Sequence, residues 1–584
     1  MNGALYGDDP EEAGITDHNG IMALDTETTG LEWSDSIIGL SLAWRRDGEV
    51  KSCYYVIERE ASLNQAPLFV MEAYRPITQL LLDIFRANRV VAHWLPFDHR
   101  VMFKAIGREG MFPDSVDTIY LARSTAYHAS YKLVDLAWEV LGIKPPSDVL
   151  DIKEDRGHIK NLPLEQQALY GRWDAETALL LYEALWPVYL DQVTEEMRKH
   201  DFAFVRLVQG LVERGVPTNR DWLTSLGEQF KDRMLELKRQ AMTIGIKDIS
   251  KDATVRQYLK DAGVALERYT ETGLPSVDIE ALHGLTHVPG IGQLIEFRQL
   301  QKGLGSWITD LLMMSEWDGS CHPILDPFGT KSFRMSSSKI NFQGIPIKDR
   351  GRAFGSMAGA FQGAVEGKTQ YQGDLKQAEV RMAGILSREN ALAEVFNIGG
   401  DPYIAMSERT WGTKDKRDDA KRAVLAGIYE IGPDKFALTH HVSLDEATSI
   451  LRTFRKAFPK IKEASRYWSN FVEQEGWVPS YKGRRIYFGP EDRSWKAFNQ
   501  RVQSSVSEYM QDFMLEFDFW YPETMNNQVH DATWYVLDDK KHKTSDVEAH
   551  LRDIAREVMT PKFRTRTNPE IPFLLDIETM GDET

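Results

Sequence analysis

The stretch Asp374-Leu-Lys-Gln-Ala-Glu-Val-Arg381 (DLKQAEVR) stands where an apolar strand pattern over 369–374 gives way to a helical pattern. The tripeptide Val529-His530-Asp531 places a second carboxylate in a tight turn between two strand patterns. Both positions are poor places to bury an unpaired charge, because an isolated buried carboxylate is strongly unfavourable. A bound cation pair removes that difficulty. We therefore expect Asp374 and Asp531 to act together as ligands of divalent ions.

A second set of carboxylates lies in the first third of the chain. Asp25 and Glu27 end an apolar strand pattern and point to the same face, since residues i and i+2 of a strand do so. Tyr170 and Asp174 share a helix face at i and i+4. Asp98 follows another strand pattern. These four carboxylates, from three distant segments, can converge on two Mg²⁺ ions.

Both sets predict chemistry on phosphate esters. Mg²⁺ prefers oxygen ligands and keeps water or substrate phosphate in its coordination shell. Two ions about 3.5–4 Å apart can activate a water and stabilise the leaving oxygen of a phosphodiester. Tyr170 is placed to orient that water. An isolated Asp-x-Glu is usually a solvated strand end, so the prediction depends on the combination.

The run RDDAKRAVLAGIY (residues 417–429) carries cations on a helical pattern. Arg417, Lys421 and Leu425 are four residues apart and fall on one stripe, with Tyr429 at its edge. Such a stripe can hold a triphosphate beside a base and a sugar. Taken alone, the pattern is more typical of a charged amphipathic helix.

Bulk properties bound the class of protein. A chain of 584 residues is too long for one core, so several domains are expected. Apolar residues make up 42% and charged residues 27%, as in ordinary globular proteins. Two cysteines, Cys53 and Cys321, exclude a disulfide framework or a four-thiolate zinc site and indicate a reducing cytosol. We expect no membrane span and no targeting signal.

The net charge of −17 is an average over the chain and does not exclude nucleic acid, because binding depends on the local face. Two segments are basic. They contain Lys482, Arg484, Arg485, Arg493, Lys496 and Arg501, and Lys331, Arg334, Lys339, Lys348, Arg350 and Arg352. Each cluster alone is more typical of a solvated surface.

Asp25-Thr-Glu-Thr, Phe97-Asp98 after a strand and Tyr170-x-x-x-Asp174, in this order, are together far more specific than any one of them. The combination resembles the DEDD-type 3′→5′ exonucleases of the tyrosine-containing subclass. KLVDLAWEVLG (132–142) resembles the helix that precedes their last motif. The resemblance implies metal ligation by Asp25, Glu27, Asp98 and Asp174. One position departs from it, because the family usually has Asn where Trp94 stands.

From about residue 200 to the C-terminus the chain resembles family A DNA polymerases. DLKQAEVR resembles motif A, RDDAKRAVLAGIY resembles motif B and QVHD (528–531) resembles motif C. The segments 334–346 and 499–503 resemble primer-template binding segments, and 572–577 resembles the last palm strand.

The polymerase resemblance implies a role for each matching residue. Asp374, Asp531 and the Leu375 carbonyl would bind metal. Arg417 and Lys421 would bind nucleotide phosphates, with Lys421 protonating the leaving pyrophosphate. Glu379 and Tyr429 would exclude a 2′-hydroxyl, and Gln377 and Leu425 would complete the nucleotide site. Primer and template would contact Arg334, Asn341, Gln343, Asn499, Gln503 and His530.

Several positions depart from the polymerase pattern. Leu425 stands where the family usually has Phe or Tyr, so stacking on the nucleotide is lost. Ala426 and Glu430 replace glycines, and Tyr403 replaces a common His. Ala532 replaces the carboxylate that normally follows motif C. Since Asp374, Asp531, Arg417, Lys421 and Tyr429 are present, we expect an active site.

The predicted architecture is a multidomain α/β and α+β protein, with an RNase H-like exonuclease domain followed by a right-hand polymerase. The predicted parts are an N-terminal tail at 1–20, exonuclease at 21–190, thumb at 191–315, palm at 316–407 and 491–584, and fingers at 408–490. Because the exonuclease begins almost at the N-terminus, we expect no 5′-nuclease domain. With the compact thumb, this indicates a phage-type enzyme.

The predicted function is template-directed DNA synthesis with 3′→5′ proofreading, in the replication of phage DNA. The expected cofactors are two Mg²⁺ per site, for which Mn²⁺ can substitute. The expected partners are primer-template DNA, dNTPs, and a helicase or single-strand-binding protein, for a monomer in the cytoplasm of the host. The alternatives are a nuclease with a degenerate, DNA-binding polymerase half, a DNA-binding scaffold with both sites dead, and an RNA polymerase of the same superfamily.

Overall fold

The computed structural model describes most of the chain. The described residues are 2–11, 20–57, 75–107, 112, 114–147, 149, 156–266, 268–270, 272–348, 355–559 and 571–580. Arg350 and Arg352 of the second basic segment lie outside them, as do residues 12–19 of the predicted tail. Within the described ranges, no helix has both the length and the apolar character needed to cross a membrane.

A seven-stranded mixed sheet forms the N-terminal part. Its strands are β1 (Asn2–Gly7), β2 (Ile21–Thr28), β3 (Ile37–Arg46), β4 (Glu49–Ile57), β5 (Arg75–Pro76), β6 (Arg89–Ala92) and β7 (Ser115–Asp117). The spatial order is β5-β1-β4-β3-β2-β6-β7, with β2, β6 and β7 parallel. The carboxyl ends of these three parallel strands carry Glu27, the turn before Asp98 and Asp117.

Part of the segment 1–20, which the sequence analysis described as a tail, forms β1. This strand pairs with β4 from Gly3 to Gly7. The segment is short and contains two glycines, which weaken a local strand signal. Its pairing depends on the exposed edge of β4, a partner about fifty residues away that a local pattern does not identify.

The described residues of this part also form five helices. They are α1 (Thr78–Ala87), α2 (Leu95–Ile106), α3 (Thr118–Thr125), α4 (Leu133–Leu136, continued by a π-helical turn Ala137–Leu141) and α5 (Leu164–Gln192). Helix α5 packs across β2, β3 and β4. Gly171 allows this close approach, because a Cβ there would lie 2.4 Å from Ser41 Oγ. The approach places Tyr170 and Asp174 over the end of β2.

A helical region follows the sheet domain. It contains α6 (Glu195–Arg214), α7 (Arg220–Thr243), α8 (Asp252–Asp261), α9 (Ile279–His283), α10 (Ile291–Gly303, followed by a π-helical turn Leu304–Ile308) and α11 (Thr309–Met314). Helix α6 begins after Thr194, whose side chain accepts a hydrogen bond from the Met197 N–H at 3.3 Å. Its buried residues Phe204, Leu207 and Leu211 recur at helical spacing, so one face packs into the core.

The C-terminal half is built around a four-stranded antiparallel sheet of order β15-β16-β12-β17. Two short strands, β8 (Val216–Pro217) and β9 (Ser320–Cys321), pair with each other. The remaining strands are β10 (Ile324–Asp326), β11 (Ser336–Ser338), β12 (Lys368–Leu375), β13 (Trp477–Pro479), β14 (Arg485–Tyr487), β15 (Met525–Val529), β16 (Ala532–Asp538) and β17 (Leu575–Thr579). β17 begins three residues into the stretch 572–577 that the sequence indicated. Asp374 on β12 lies opposite Ala532 on β16 and Asp576 on β17.

Nine helices of the described residues belong to this half. They are α12 (Ala378–Ser387), α13 (Asn390–Asn397), α14 (Pro402–Trp411), α15 (Arg417–Ile428), α16 (Pro433–His440), α17 (Leu444–Ala457), α18 (Pro459–Glu475), α19 (Ala497–Trp520) and α20 (Thr544–Met559). Helix α12 packs against α19, and α15 packs against α14 and α17. Helix α15, which carries the predicted cation stripe, is therefore held by neighbouring helices and lies outside the sheet.

A buried ion network joins the two halves. The Arg484 guanidinium lies 2.6 Å from Asp201 Oδ1, 3.3 Å from Glu508 Oε1 and 3.1 Å from the Tyr120 hydroxyl. These residues come from β14's start, α6, α19 and α3. Arg484 is 3% exposed, and Asp201 and Glu508 are fully buried. Such a network is sensitive to the loss of any one partner, because the others would be left as uncompensated buried charges.

Candidate active sites

The first carboxylate set converges at one edge of the seven-stranded sheet. Carboxylate oxygens of Asp25, Glu27 and Asp174 lie within 4.8 Å of one another. Asp25 and Glu27 project from the end of β2, and Asp174 comes from α5 above it. Glu27 and Asp174 are buried, and Asp25 is partly exposed. An all-oxygen set of three carboxylates at this separation fits a hard divalent cation.

Asp98 lies beside this group but is engaged differently. Its Oδ1 accepts hydrogen bonds from the Thr26 N–H at 3.0 Å and the Thr26 hydroxyl at 2.7 Å. Thr26 is the residue between Asp25 and Glu27, so the start of α2 is joined to the end of β2. Burial raises the pKa of Asp98 to about 7, although the hydrogen bonds from Thr26 act in the opposite direction. A cation nearby would favour the ionised form of this carboxyl.

These carboxylates line a cleft of about 580 Å³. Tyr170, on the same face of α5 as Asp174, also lines it and is 6% exposed. The cleft is further lined by Leu31, His93, Trp94, Phe97, Arg123, Tyr131 and Lys132. Acidic groups, cations and aromatic rings therefore line the same cleft.

Asp117 supports the turn that leads into α2. Its carboxylate accepts hydrogen bonds from the backbone N–H groups of Trp94 (3.3 Å), Leu95 (3.1 Å) and Ile119 (2.8 Å). Burial, and then the neighbouring Asp326 carboxylate, raise the pKa of Asp117 to about 7. Asp326 comes from β10 in the C-terminal half and also lines the cleft.

The second carboxylate set lies at the end of the four-stranded sheet. Asp531 occupies the turn between β15 and β16, and its carbonyl accepts a hydrogen bond from the Leu375 N–H at 3.0 Å. Asp374 ends β12 on the neighbouring strand. The surrounding protein, and next the Asp531 carboxylate, raise the pKa of Asp374 to about 6. Asp374 pairs with Ala532, the residue that follows Asp531, so the two acids lie at the same end of the sheet.

Arg334 connects Asp531 to Glu379. Its guanidinium lies 2.6 Å from Glu379 Oε1 and 3.7 Å from Asp531 Oδ1. Burial raises the pKa of Glu379 and Asp531 raises it further, whereas Arg334 and His530 lower it. The side chain predicted to exclude a 2′-hydroxyl is thus held by the side chain predicted to contact the primer.

Arg417 is held by Asp401, a residue that the sequence analysis did not single out. Arg417 donates from Nε and Nη2 to Asp401 Oδ2 at 3.0 and 2.8 Å, and Gln377 Nε2 donates to the same oxygen at 3.1 Å. The Arg417 guanidinium also lies over the Tyr403 ring, 5.2 Å from its centroid. Asp401 therefore gathers two of the predicted nucleotide-binding residues.

The other members of the predicted stripe are arranged differently. Lys421 is exposed on α15 and forms no ion pair with a carboxylate in the described part of the chain. Leu425 and Tyr429 are half-buried and pack against the main core, with Tyr429 just after the end of the helix. The departures Ala426 and Glu430 flank this helix end: Ala426 is buried, and Glu430 pairs with Lys462 at 2.6 Å.

The predicted primer-template residues include a group beside Asp374 and a pair on α19. Gln343 and His530 line a cavity of about 270 Å³ together with Asp374 and Ala532. Asn341 Oδ1 accepts a hydrogen bond from the Gln343 N–H at 3.1 Å, which fixes that turn. Asn499 and Gln503 are half-buried on the first turns of α19.

Sequence reasoning missed Asp117, Asp326, Asp401 and the Arg484 network. Asp401 gives a local signal, because its carboxylate caps α14 by accepting hydrogen bonds from the Tyr403 and Ile404 N–H groups. That signal predicts a helix start, but not the contact with Arg417 on another helix. Asp117 gives the same kind of signal, because it caps α3 through the Ile119 N–H. For Asp326 and the Arg484 network, only tertiary packing brings the partners together.

Two family models match separate parts of the chain, and each part contains one of the two carboxylate sites. The family model described as "DNA polymerase family A" matches residues 220–579, and the model described as "3′-5′ exonuclease" matches residues 12–189. The first match covers more than half of the chain. The carboxylate groups at 374 and 531 fall in the first range, and those at 25–174 fall in the second.

Curated relatives are DNA polymerases of bacteria and phages. The chain is 27% identical to DNA polymerase I of Helicobacter pylori (strain ATCC 700392 / 26695) over 278 residues, 46% of this chain and 30% of that protein. It is 22% identical to the DNA polymerases of Mycobacterium phages D29 and L5, over 84% and 95% of this chain and 82% and 93% of theirs. The chain thus spans about a third of the Helicobacter relative and most of the phage ones.

A solved structure has the same fold. The POL domain of Pol1 from M. smegmatis, in complex with DNA primer-template and dNTP, superposes with a TM-score of 0.70 and 18% sequence identity. The alignment covers 95% of this chain and 94% of that one. The likeness extends over both halves of the molecule, so the multidomain arrangement is common to the two.

Proposed function

The chain belongs to DNA polymerase family A and carries a 3′-5′ exonuclease domain, and we propose that it extends a primer on a DNA template and shortens mispaired 3′ ends. The observation that supports this most is the presence of two separate carboxylate sites in one chain. One combines Asp374 and Asp531 with a helix of cations, and the other combines Asp25, Glu27 and Asp174 in an aromatic cleft.

In the polymerase site, Asp374, Asp531 and the Leu375 carbonyl would hold two Mg²⁺, for which Mn²⁺ can substitute. In the exonuclease site, Asp25, Glu27, Asp98 and Asp174 would do so. When bound, the ions activate the attacking oxygen and neutralise charge on the phosphate. The donor sets support this assignment, since they consist of oxygen atoms and both lack cysteine and histidine.

The residues of the polymerase site orient the reaction. The primer 3′-hydroxyl attacks the α-phosphate of a dNTP, and the bond to pyrophosphate breaks. Arg417 binds the triphosphate, and Lys421 donates a proton to the leaving pyrophosphate. Glu379, fixed by Arg334 at 2.6 Å, occupies the space that a 2′-hydroxyl would need. With Tyr429, it selects deoxynucleotides.

The exonuclease residues act on a frayed single strand. A mispaired end leaves the template and enters the cleft, where Tyr170 orients the attacking water. The phosphodiester to the terminal nucleotide breaks, and a nucleoside monophosphate leaves. Arg123 and Lys132 on the cleft wall are placed to bind backbone phosphates.

We further propose that the domains follow the predicted boundaries, with thumb at 191–315, palm at 316–407 and 491–584, and fingers at 408–490. A role in phage DNA replication is supported by the match over 82% and 93% of two mycobacteriophage polymerases. Partners would be primer-template DNA and dNTPs, with a helicase or single-strand-binding protein during replication, and the enzyme would act as a monomer in the host cytoplasm.

A gel assay tests the proposal. A 5′-labelled primer annealed to a longer template is incubated with the protein and Mg²⁺, with and without the four dNTPs. Lengthening with dNTPs and shortening without them is the expected result. Shortening in both reactions would overturn the polymerase assignment and leave a nuclease whose second half only binds DNA.

A further inference from the structure

Arg100 is a buried cation whose hydrogen bonds go to backbone carbonyls. It is 3% exposed, on the second turn of α2. Its Nη2 donates to the Leu31 carbonyl at 2.9 Å, and its Nη1 donates to the Lys339 carbonyl at 3.1 Å and the His322 carbonyl at 3.4 Å. A buried charge is costly unless it is hydrogen-bonded, so the position of the guanidinium depends on these carbonyls.

The three carbonyls belong to the two halves of the molecule. Leu31 lies in the loop 29–36, between β2 and β3 of the seven-stranded sheet. His322 follows β9 and Lys339 follows β11, within the range that the polymerase family model matches. Arg100 therefore joins the exonuclease half to the polymerase half through one guanidinium.

The loop that Arg100 holds comes directly after a predicted metal ligand. Glu27 is the second-last residue of β2, and residues 28–31 line the same cleft as the carboxylates. Arg100 itself lies two positions after Asp98 on α2. One guanidinium thus links the helix that carries Asp98 to the loop that follows Glu27.

Aromatic packing reinforces this contact between the halves. Trp33, in the loop, is 4% exposed and stacks on the His322 ring, with centroids 4.9 Å apart and ring planes that differ by 15°. The Arg100 guanidinium lies 5.6 Å from the centroid of the Trp33 ring. His322 is fully buried, and its Nδ1 lies 2.7 Å from the Val212 carbonyl. Because close-packed interiors leave such rings little freedom, the middle of the loop is held against the polymerase half.

We propose that Arg100 is a positioning residue of the exonuclease reaction, which fixes the loop after Glu27 and helix α2 to the polymerase half and so maintains the arrangement of the metal-binding carboxylates. This inference rests on the proposed exonuclease function. Arg100 acts through the backbone, since its Nη donors bond to carbonyl groups of the protein. The exonuclease ligands therefore bind divalent ions tightly only while the contact with the polymerase half is intact.

The test measures metal binding and shortening separately. All proteins carry Asp374→Ala, which removes a ligand of the polymerase site, and Mn²⁺ binding is measured by isothermal titration calorimetry. Asp25→Ala in the same background identifies the signal of the exonuclease site. Shortening of a 5′-labelled single-stranded oligonucleotide is measured over a range of Mg²⁺ concentrations. Arg100→Met removes the donors and retains an apolar chain, and Arg100→Lys keeps a cation.

Arg100→Met should weaken Mn²⁺ binding at the exonuclease site roughly tenfold, because contacts that support metal ligands contribute at least that much to metal affinity. The Mg²⁺ concentration for half-maximal shortening should rise by a similar factor. At saturating Mg²⁺, kcat should stay within about threefold of the parent protein, because the ligands themselves are present. Arg100→Lys should recover only part of the affinity, since an ammonium lacks the planar fork of donors.

Lys104 provides a matched control. It lies one turn after Arg100 on α2 and donates to the Asp35 carbonyl at 2.9 Å and to the Trp33 carbonyl. Both acceptors are in the same loop and belong to the exonuclease half. Lys104→Met should leave the Mn²⁺ affinity near that of the parent protein.

Three results would overturn the proposal in distinguishable ways. If Arg100→Met lowers the melting temperature but leaves the Mn²⁺ affinity and the Mg²⁺ requirement unchanged, Arg100 only stabilises the contact between the halves. If Lys104→Met weakens Mn²⁺ binding as much as Arg100→Met, the polymerase half has no part in the effect. If the Asp374→Ala parent neither binds Mn²⁺ through Asp25 nor shortens DNA, the exonuclease assignment itself fails. Arg100→Lys is judged by the same criteria if Arg100→Met does not fold.

Discussion

The two carboxylate sites of this chain differ in how complete they are before any substrate binds. In the exonuclease cleft, oxygens of Asp25, Glu27 and Asp174 already lie within 4.8 Å, on a strand end and a helix of one domain. In the polymerase site, Asp374 and Asp531 belong to one sheet, but the predicted triphosphate ligand Arg417 lies on a separate helix and is paired with Asp401.

The difference follows from the substrates. The exonuclease always breaks a phosphodiester bond at a strand end, and a fixed cluster of carboxylate ligands is sufficient for that reaction. A polymerase site must admit a new triphosphate in each cycle, so its cations need a partner in the interval between substrates. Arg334 with Glu379 and Arg417 with Asp401 are such partners. The exonuclease site is thus a preformed cluster, whereas the polymerase site depends on exchangeable ion pairs.

The largest effect is expected when the buried network around Arg484, which joins the two halves, is broken. Arg484→Ala would leave Asp201 and Glu508 as buried charges without their guanidinium partner. We expect a loss of about 3–5 kcal/mol in unfolding free energy. Thermal denaturation followed by circular dichroism measures it, and both activities should disappear at the same lowered temperature.

Arg485→Ala is the matched control for this prediction. Arg485 is the next residue but is half-buried and lies over the Trp477 ring at 4.7 Å. Arg485→Ala should lower the unfolding free energy by about 1 kcal/mol or less. Equal melting temperatures for the two variants would contradict the view that the buried network joins the halves.

The next effect should separate the sites. Lys421→Ala should lower the kcat of primer extension about 10²–10³-fold, because the leaving pyrophosphate loses its proton donor and a positive charge. Shortening of a primer without dNTPs should be unchanged. Arg422→Ala, an exposed neighbour paired with Asp419 at 3.1 Å, should leave both rates near wild type. A matching loss of shortening in Lys421→Ala would contradict the independence of the sites.

The positions of the carboxylates were predictable from local sequence patterns. The i, i+2 spacing of Asp25 and Glu27 and the placement of Asp174 on a helix were sufficient to predict that they could meet, and the structure brings them together. The hairpin that carries Asp531 was equally visible, because strand alternation and a tight turn are local signals. Their catalytic roles remain predictions.

Contacts across elements were not predictable in the same way. Asp401 is a helix cap by its local pattern, yet its pairing with Arg417 depends on how α14 packs against α15. Asp117 and Asp326 come from opposite halves of the chain. Strand β1 was missed because its partner edge, more than its own sequence, determines its pairing.

A third prediction tests the low-dielectric surroundings of the exonuclease half. The folded pKa of Asp117 is about 7, above its ordinary value of 3.8, so the folded state retains a proton that the unfolded state releases. The contribution of Asp117 to the unfolding free energy is therefore fully present below about pH 4. It is lost as the pH rises toward 7, by an amount on the order of a few kcal/mol.

Asp117→Asn should remove most of that fall. The Asn side-chain oxygen can accept from the Trp94 and Ile119 N–H groups, which share one oxygen of Asp117, but not from the Leu95 N–H, which donates to the other. Asparagine also has no charge to desolvate. Urea denaturation at pH 5 and pH 8 measures the effect, and the stability of the variant relative to wild type should be greater at pH 8 than at pH 5. A wild type that is more stable at pH 8 than the variant would contradict the burial argument.

The smallest expected effect tests whether Asp401 competes with the triphosphate for Arg417. Asp401→Asn keeps the cap of α14, since Asn caps as well as Asp, but releases Arg417 from its anionic partner. A partly exposed ion pair is worth about 0.2–1 kcal/mol, so the KM for dNTP should fall roughly 1.5- to 5-fold. A raised KM, measured by single-nucleotide incorporation, would mean that Asp401 orients Arg417 and does not compete with the triphosphate.

The independence of the two sites is tested most directly by substituting one acid in each. Asp374→Ala and Asp25→Ala are incubated with a 5′-labelled primer-template and Mg²⁺, with and without dNTPs. We predict that Asp374→Ala only shortens the primer and that Asp25→Ala only lengthens it. Lengthening by Asp374→Ala, or loss of both activities from either single substitution in a folded protein, would contradict the account.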